Sequence, residues 1–276
     1  MKRLRGIDPL LPLYDAFLVD QFGTLHDGTA PYPGACDALR RMRLAGKRVV
    51  VLSNSGKRSA PNVDRLTRLG FPPDAYDALI SSGEVAFRLL AEGRIPAARD
   101  ARRCLLLERD GDGSVLDELG LEAAGPDAAE LVVIAGSEGD RRTLDAYADM
   151  LAAPARRGVP ALCLNPDRTM LTPGGLAFGA GRIAELYESL GGGVTWIGKP
   201  HPAIYAAALE SLGGSAPAHV AGIGDSVEHD IAGARAVGCG AWLVGSGIIA
   251  DASDAAIAAE CRRCDVTPDG VLDGFV

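Results

Sequence analysis

The stretch AFLVDQFGTLHDG, residues 16–28, decides the fold of this chain. A short run of apolar residues ends at Asp20, and a Gly-Thr turn follows. Such a run, with the β-favouring residues Phe17 and Val19, is typical of a buried strand and not of a helix. Asp20 is then predicted at the carboxyl end of that strand, where open α/β sheets bind ligands. A carboxylate there can attack phosphorus or bind a metal, although a strand-end Asp also serves as an ordinary turn or helix cap.

Strands and helices alternate along both ends of the chain. Apolar runs at 48–52, 79–80, 194–197, 219–223 and 240–244 are predicted strands, and helices are predicted over 35–44, 60–69, 181–190, 202–212 and 230–237. This alternation predicts right-handed βαβ units and a parallel sheet. The middle region is richer in Ala, Gly, Asp and Arg, with strands predicted near 104–107, 131–134 and 161–164 and a helix over 141–151. We therefore predict an α/β core over residues 1–83 and 179–276, with a separate α/β module inserted at 84–178.

The composition narrows the class of function. A chain of 276 residues with 47% hydrophobic residues suits one large α/β domain or two smaller ones. The net charge of −8 argues against a nucleic-acid or membrane-surface partner. A small anionic substrate is still compatible with it, because the charge at the site matters more than the total. Without a signal-peptide or membrane-spanning pattern, we expect a cytoplasmic protein, and the sequence leaves a homo-oligomer open.

Polar residues follow four of the predicted strands. They are Asp20, Ser53 with Asn54, Lys199, and Asp225, with Asp230 five residues further on. Because the carboxyl ends of parallel strands meet at one edge of a sheet, these side chains are expected to converge. Carboxylates there need a cation, and an all-oxygen set suits Mg²⁺, while a hydroxyl and a lysine suit phosphate oxygens. An Asp nucleophile with Mg²⁺ and a lysine is sufficient for phosphoryl transfer through an aspartyl-phosphate. The ordinary interpretations also stay open: a loop cation for Lys199, a turn hydroxyl for Ser53 and a helix cap for Asp230.

These four segments resemble the motifs of the haloacid dehalogenase-like (HAD) hydrolase superfamily, in the same order and with similar spacing. VDQFGTL is similar to the first motif, VLSNS to the second, IGKP to the third and GIGDSVEHDIAGA to the fourth. The middle module resembles the α/β cap of class IIA members, the p-nitrophenylphosphatase and sugar-phosphatase branch. The resemblance covers nearly the whole chain and implies a Rossmann-like, three-layer parallel-sheet core with an inserted α/β cap.

The resemblance also implies a role for each polar residue. Asp20 would be the nucleophile, and Lys199 would support the reaction. The Mg²⁺ ligands would be Asp20, the backbone carbonyl of Phe22 and Asp225, with Asp230 orienting the metal shell. The transferring phosphoryl group would be held by Ser53, Asn54 and Lys199. The implied activity is a Mg²⁺-dependent phosphatase that acts on a small phosphorylated metabolite, by analogy a sugar or polyol phosphate.

The first motif departs from the family pattern at Phe22. Most phosphatases of the superfamily have a second Asp at this position, which protonates the leaving oxygen and later activates water. Phenylalanine cannot transfer a proton, and losing a positioned acid–base costs about 10²–10⁴-fold in rate. His26 and Asp27 are candidate substitutes, although both also suit an ordinary turn.

Two alternatives come from other classes of function. The first is a catalytically impaired HAD-like protein that binds a metabolite or acts in regulation, and Phe22 is the reason to consider it. The second is a nucleotide-cofactor enzyme on a dinucleotide-binding fold. The absence of a GxGxxG pattern after the first strand counts against this second alternative.

Overall fold

The computed structural model describes residues 2–109, 111, 113, 116, 119–172 and 174–275. The chain forms two compact units. The first consists of Met1–Ser53, Ala60–Ile80 and Lys199–Val276, and the second of Asn54–Ser59 and Ser81–Gly198. None of the helices in these described ranges has both the length and the apolar character that a membrane span requires.

The first unit is built on a seven-stranded sheet. In spatial order its strands are β1 (Arg3–Leu4), β14 (Gly270–Leu272), β13 (Gly240–Val244), β12 (Val220–Gly224), β2 (Ala16–Val19), β3 (Arg48–Ser53) and β4 (Ala78–Ser81). Neighbouring strands from β1 to β3 are all parallel. The helices of this unit are α1 (Ala35–Leu44), α2 (Ser59–Arg68), α6 (Pro202–Ser211), α7 (Ala232–Ala236) and α8 (Asp254–Arg263).

Burial explains why the central strands are continuous apolar runs. Every residue of β2, β12 and β13 is buried, as expected for parallel strands covered on both faces. Alternate residues of β2, such as Phe17 and Val19, join a core cluster with Leu39 and Met42 of α1. Helix α1 has the predicted bounds, because its buried positions recur at helical spacing.

The second unit contains a five-stranded sheet and a hairpin. The sheet order is β11 (Val194–Trp196), β8 (Ala161–Cys163), β7 (Leu131–Ile134), β5 (Arg103–Leu107) and β6 (Glu122–Ala123), with all neighbours parallel. The hairpin is β9 (Thr169–Thr172) with β10 (Gly175–Phe178). The helices are α3 (Ser82–Ala91), α4 (Leu144–Arg156) and α5 (Ala180–Ser189). Helix α4 begins later than predicted because the Thr143 side chain caps it by accepting from the Ala146 N–H.

The units divide the chain differently from the predicted segments. Residues 179–198, which the sequence assigned to the core, belong to the second unit. The reason is strand pairing, because β11 pairs with β8 and not with a strand of the seven-stranded sheet. The predicted α/β class with a Rossmann-like parallel-sheet core is confirmed.

Candidate active site

Two strand ends bring carboxylates together at the edge of the seven-stranded sheet. Strands β2 and β12 pair with Val19 opposite Ile223, and the Asp20 N–H donates to the Ile223 carbonyl at 2.9 Å. Asp20 and Asp225 therefore leave neighbouring strands side by side. One carboxylate oxygen from each of Asp20, Asp225 and Asp230 lies within 4.8 Å of the others, and all three residues are buried. A buried all-oxygen cluster of this kind suits a hard cation.

Lys199 contacts two members of this carboxylate cluster. Its side chain is 3% exposed, and Nζ lies 2.6 Å from Asp20 Oδ1 and 2.7 Å from Asp230 Oδ1. Burial by itself lowers the pKa of Lys199, but the charges of Asp20 and Asp230 outweigh it and hold the pKa well above its ordinary value. The ammonium group therefore stays charged, and the loop-cation interpretation is wrong. The sequence also predicted that the strand before Lys199 lies in the same sheet as the strand before Asp20. This prediction is wrong, because β11 belongs to the five-stranded sheet.

Asp225 is held in a tight backbone pocket. Its Oδ2 accepts a hydrogen bond from the Ile248 N–H at 2.8 Å. Gly23 and Gly247 lie against the carboxylate with φ of +88° and +57°, and a Cβ on either would overlap Asp225 Oδ2. Both positions therefore require glycine. Burial, followed by the charges of Asp20 and Asp230, raises the pKa of Asp225 well above its ordinary value.

A π-helical turn, Val227–Ile231, presents Asp230 to this cluster. The Asp230 Oδ2 accepts from the Ser226 N–H at 3.1 Å, while Oδ1 contacts Lys199. The single hydrogen of the buried Tyr205 hydroxyl is shared between the carbonyl oxygens of His229 and Asp230, at 3.2 Å and 3.3 Å. Asp230 thus caps its own turn and also binds Lys199. The sequence predicted one helix over 230–237, but the structure has this wider turn followed by α7. Such turns are frequent at functional sites.

The predicted phosphate-binding residues have different neighbours. Ser53 ends β3 and is 3% exposed, and its Oγ accepts from Gln21 Nε2 at 2.8 Å. Asn54 belongs to the second unit, where its Nδ2 donates to Asp167 Oδ1 at 2.8 Å. Neither Gln21 nor Tyr205 was singled out from the sequence as a site residue. Gln21 follows the predicted nucleophile directly, and that adjacency is the one signal that could have identified it.

The Phe22 ring packs against a buried histidine in the turn that follows it. The Phe22 side chain is 36% exposed, and its ring lies edge-on to His26 with centroids 5.6 Å apart. His26 is fully buried, and its Nδ1 accepts from the Gly28 N–H at 2.9 Å. Burial, assisted by the charge of Arg65, lowers the pKa of His26 to about 4. His26 is therefore neutral at pH 7 and supports the turn.

Asp27 stabilises the same turn. Its Oδ1 accepts from the Thr29 and Ala30 N–H groups at 2.7 Å and 2.8 Å, and from the Thr29 hydroxyl at 2.7 Å. These bonds, above all that of the Thr29 hydroxyl, lower the pKa of Asp27 to about 2. A carboxyl group that is ionised at every ordinary pH cannot donate a proton to a leaving group. The geometry thus favours the ordinary turn interpretation for Asp27.

Neutral, buried His26 gives a testable pH dependence of stability. Its pKa in the folded state is about 4, below the ordinary 6.5 of the unfolded chain. The stability that it supports is complete above pH 6.5 and declines as the pH falls towards 4, by up to about 3 kcal/mol. We expect His26→Asn, which can still accept from the Gly28 N–H, to flatten this part of the pH profile in urea unfolding. His219→Asn is the control, since the His219 side chain is 64% exposed. Parallel profiles for wild type and His26→Asn would contradict the assignment.

Most of the chain matches known protein families. Residues 17–122 match the family model described as haloacid dehalogenase-like hydrolase, and residues 196–275 match one described as HAD-hydrolase-like. Rat chronophin is 31% identical over 239 residues, which cover 83% of this chain and 76% of chronophin.

Solved structures extend the similarity to the fold of the whole chain. A haloacid dehalogenase-like hydrolase from Brucella suis has a TM-score of 0.86 and 30% identity, covering 99% of this chain and 100% of the other. A p-nitrophenyl phosphatase from Archaeoglobus fulgidus has a TM-score of 0.75 and 25% identity, with coverage of 95% and 97%. A glycerol phosphate phosphatase from Mycobacterium tuberculosis, solved with calcium, has a TM-score of 0.66 and 27% identity, with coverage of 87% and 68%.

Proposed function

The chain belongs to the haloacid dehalogenase-like hydrolase family, and on this premise we propose that it is a Mg²⁺-dependent phosphatase with Asp20 as its nucleophile. The resemblance inferred from four sequence motifs is confirmed. The observation that carries the proposal is the buried cluster in which Lys199 contacts Asp20 and Asp230, and in which an Asp225 oxygen lies within 4.8 Å of oxygens of both. A buried nucleophile beside a fixed cation is suited to the transfer of a charged phosphoryl group.

The reaction needs two displacements at phosphorus. In the first, a carboxylate oxygen of Asp20 bonds to phosphorus as the ester P–O bond breaks, and the leaving oxygen departs as an anion that takes its proton from solvent water. In the second, the oxygen of a water molecule bonds to phosphorus, the aspartyl P–O bond breaks, and the Asp20 carboxylate and inorganic phosphate are released. Lys199, fixed 2.6 Å from Asp20 Oδ1, orients the carboxylate and offsets negative charge in both steps. Ser53 is proposed to bind a phosphoryl oxygen through its hydroxyl, and Asn54 stays a predicted phosphate contact.

The donor set fits a divalent cation. Three buried carboxylates with oxygens within 4.8 Å carry more negative charge than the ammonium group of Lys199 neutralises. We propose that Asp20, Asp225 and the Phe22 carbonyl bind Mg²⁺, with Asp230 orienting the surrounding groups. Bound there, Mg²⁺ would supply charge stabilisation for the transferring phosphoryl group.

Metal binding is tested by thermal unfolding of wild type and an Asp225→Asn variant. At about 100 times the dissociation constant, Mg²⁺ should stabilise the wild type by about 2.7 kcal/mol. Without metal, Asp225→Asn should be at least as stable as the wild type, because a neutral amide relieves repulsion from Asp20 and Asp230 and can still accept from Ile248. The variant should lose most of the stabilisation by Mg²⁺. Asp251→Asn is the control, because Asp251 is exposed, and it should be stabilised like the wild type. An equal Mg²⁺ response in Asp225→Asn would contradict the ligand assignment.

The substrate class is proposed as a small phosphorylated metabolite, of sugar or polyol phosphate type. It is supported by the similar M. tuberculosis protein, which is described as a glycerol phosphate phosphatase. The test is release of inorganic phosphate from a panel of sugar and polyol phosphates with p-nitrophenyl phosphate, with and without Mg²⁺. Mg²⁺-dependent turnover of at least one ester is expected. Tight binding of an ester without any turnover would instead favour the impaired, metabolite-binding alternative.

Phe22 is the observation that favours this second candidate function. Its ring packs on neutral His26, and Asp27 is fixed as an ionised turn cap, so neither predicted substitute is a proton donor at pH 7. An enzyme of this kind should act best on esters whose leaving group needs no proton. A catalytically impaired protein would fail on these esters too.

A Phe22→Asp variant separates the two functions. If a missing proton donor limits the rate, turnover of polyol phosphates should rise by about 10²-fold, the lower end of a typical acid–base contribution. Turnover of p-nitrophenyl phosphate should change far less, because its leaving group departs without protonation. Phe22→Asn is the matched control, since it removes the ring without adding an acid. Equal turnover of polyol phosphates by wild type and Phe22→Asp would show that the missing acid is not limiting.

Other properties inferred from the sequence stay predictions. They include the cytoplasmic location and the absence of a nucleic-acid partner, and a homo-oligomer stays open. We also propose, from the sequence resemblance, that the first unit is the HAD-like core and that the inserted second unit is its cap.

A further inference from the structure

A buried amide lies beside the predicted nucleophile and is not used by the mechanism above. Gln21, between Asp20 and Phe22, is 1% exposed. Its Nε2 donates to Ser53 Oγ at 2.8 Å and to Asn62 Oδ1 at 2.9 Å. Ser53 is 3% and Asn62 0% exposed. The amide thus links the loop after β2, the end of β3 and helix α2.

Gln21 is the donor in both of these hydrogen bonds. An amide nitrogen has two hydrogens, and Gln21 directs one to the Ser53 hydroxyl oxygen and one to the Asn62 carbonyl oxygen. Two partners on different elements fix the plane of the amide. Since the Ser53 oxygen accepts from Gln21, its own hydrogen points in another direction. The Ser53 hydroxyl can therefore donate only to an acceptor other than Gln21.

A packing role alone would not explain a glutamine at this position. Gln21 Oε1 is buried and has no hydrogen-bond partner within the described ranges. A buried unpaired acceptor is costly, and a methionine of similar shape would avoid that cost. The side chain is therefore better explained by what its Nε2 hydrogens do than by the space that it fills.

We propose that Gln21 is a positioning residue of the phosphate subsite, which orients the Ser53 hydroxyl so that its hydrogen faces an anionic oxygen of the substrate. The inference rests on the proposed function, because it gives Ser53 a phosphoryl oxygen to bind. It adds a residue that acts through Ser53 and not by touching substrate. The expected signature is a loss of phosphate affinity that depends on the presence of the Ser53 hydroxyl.

A double-mutant cycle tests this dependence. The proteins are wild type, Gln21→Met, Ser53→Ala and the double variant, and the measurement is the Kd for inorganic phosphate by calorimetry in the presence of Mg²⁺. Gln21→Met should weaken phosphate binding about tenfold, the worth of about one hydrogen bond. In the Ser53→Ala background the same change should have almost no effect. Equal weakening in both backgrounds would overturn the proposal.

A second variant, Gln21→Glu, exchanges donor and acceptor in the hydrogen bond between residue 21 and Ser53. A glutamate at position 21 would accept a hydrogen bond from Ser53, turning its hydrogen away from the substrate, and would add negative charge beside the phosphate. Gln21→Glu should therefore bind phosphate at least tenfold more weakly than Gln21→Met, whereas a merely structural role predicts affinities that follow the melting temperatures of the two variants. If Gln21→Met does not fold, Gln21→Glu takes its place in the double-mutant cycle, with wild type as the reference. A wild type that neither binds phosphate nor hydrolyses any ester overturns the proposed function and this inference together, whereas an additive cycle on an active wild type overturns the inference alone.

Discussion

Replacing Asp20 by Asn is expected to lower kcat on p-nitrophenyl phosphate by at least about 10⁴-fold, equivalent to about 5.5 kcal/mol of transition-state stabilisation. An amide cannot form the acyl-phosphate bond on which both proposed displacements depend. The effect should fall mainly on kcat, because the proposed phosphate contact of Ser53 and its bond to Gln21 are left in place. The measurement is steady-state release of p-nitrophenol with saturating Mg²⁺.

The Asp20→Asn result needs a readout that distinguishes a lost nucleophile from lost structure. Rapid acid quenching with radiolabelled phosphoester should leave label on wild-type protein and none on the variant. The Asn side chain keeps the size of Asp, and Lys199 keeps its contact with Asp230 at 2.7 Å, so cooperative unfolding should persist. A folded Asp20→Asn protein with more than about one hundredth of wild-type kcat would contradict nucleophilic catalysis by this residue.

Local patterns in the sequence were sufficient to place the carboxylate pair. The short apolar run before Asp20 is typical of a buried strand, and β12 is also apolar and ends just before Asp225. In a parallel sheet, two such strand ends meet if the strands are neighbours, and the pairing of Val19 with Ile223 satisfies this condition. The convergence of Asp20 and Asp225 thus follows from periodicity and parallel topology.

Strand pairing between distant segments could not be predicted in this way. The three-residue strand β11 has no feature that selects its partner, and it pairs with β8 instead of joining the larger sheet. The predicted boundary near residue 178 therefore differs from the division at Gly198, where Lys199 begins the return to the first unit. Lys199 still contacts Asp20, because it belongs to the first unit although β11 does not.

The contacts among buried side chains were the second feature that could not be predicted from the sequence. Gln21 has no motif of its own, and its importance depends on two buried partners, one of them 41 residues away. The neutral state of His26 likewise depends on burial and on the charge of Arg65, which no local pattern encodes. The π-helical turn at Asp230 departs from the α-helical spacing that a periodicity argument assumes. These features depend on three-dimensional packing.

Lys199→Met is expected to lower the free energy of unfolding by about 3–5 kcal/mol, the cost of breaking a buried ion pair by removing one partner. Methionine fills a similar volume, so the loss reflects Asp20 and Asp230, which lose the ammonium group 2.6 Å and 2.7 Å from their oxygens. The measurement is urea unfolding at pH 7 without metal. Lys47→Met is the control. The Lys47 side chain is 19% exposed, but its partner Asp15, 4.0 Å away, is 68% exposed, and pairs with a solvent-exposed partner contribute about 0–1 kcal/mol.

The loss of stability in Lys199→Met should depend on pH and on Mg²⁺, whereas the loss from a simple packing defect should not. Without Lys199, no ammonium group offsets the repulsion among the negative charges of the cluster. The stability deficit is then largest at pH 7 and shrinks at lower pH, where the cluster carries less negative charge. Mg²⁺, which we propose binds the same oxygens, should also restore part of the lost stability, because it supplies positive charge where the ammonium group was removed. A deficit of the same size at pH 5 and pH 7, unchanged by Mg²⁺, would show that Lys199 contributes through packing and not through its charge.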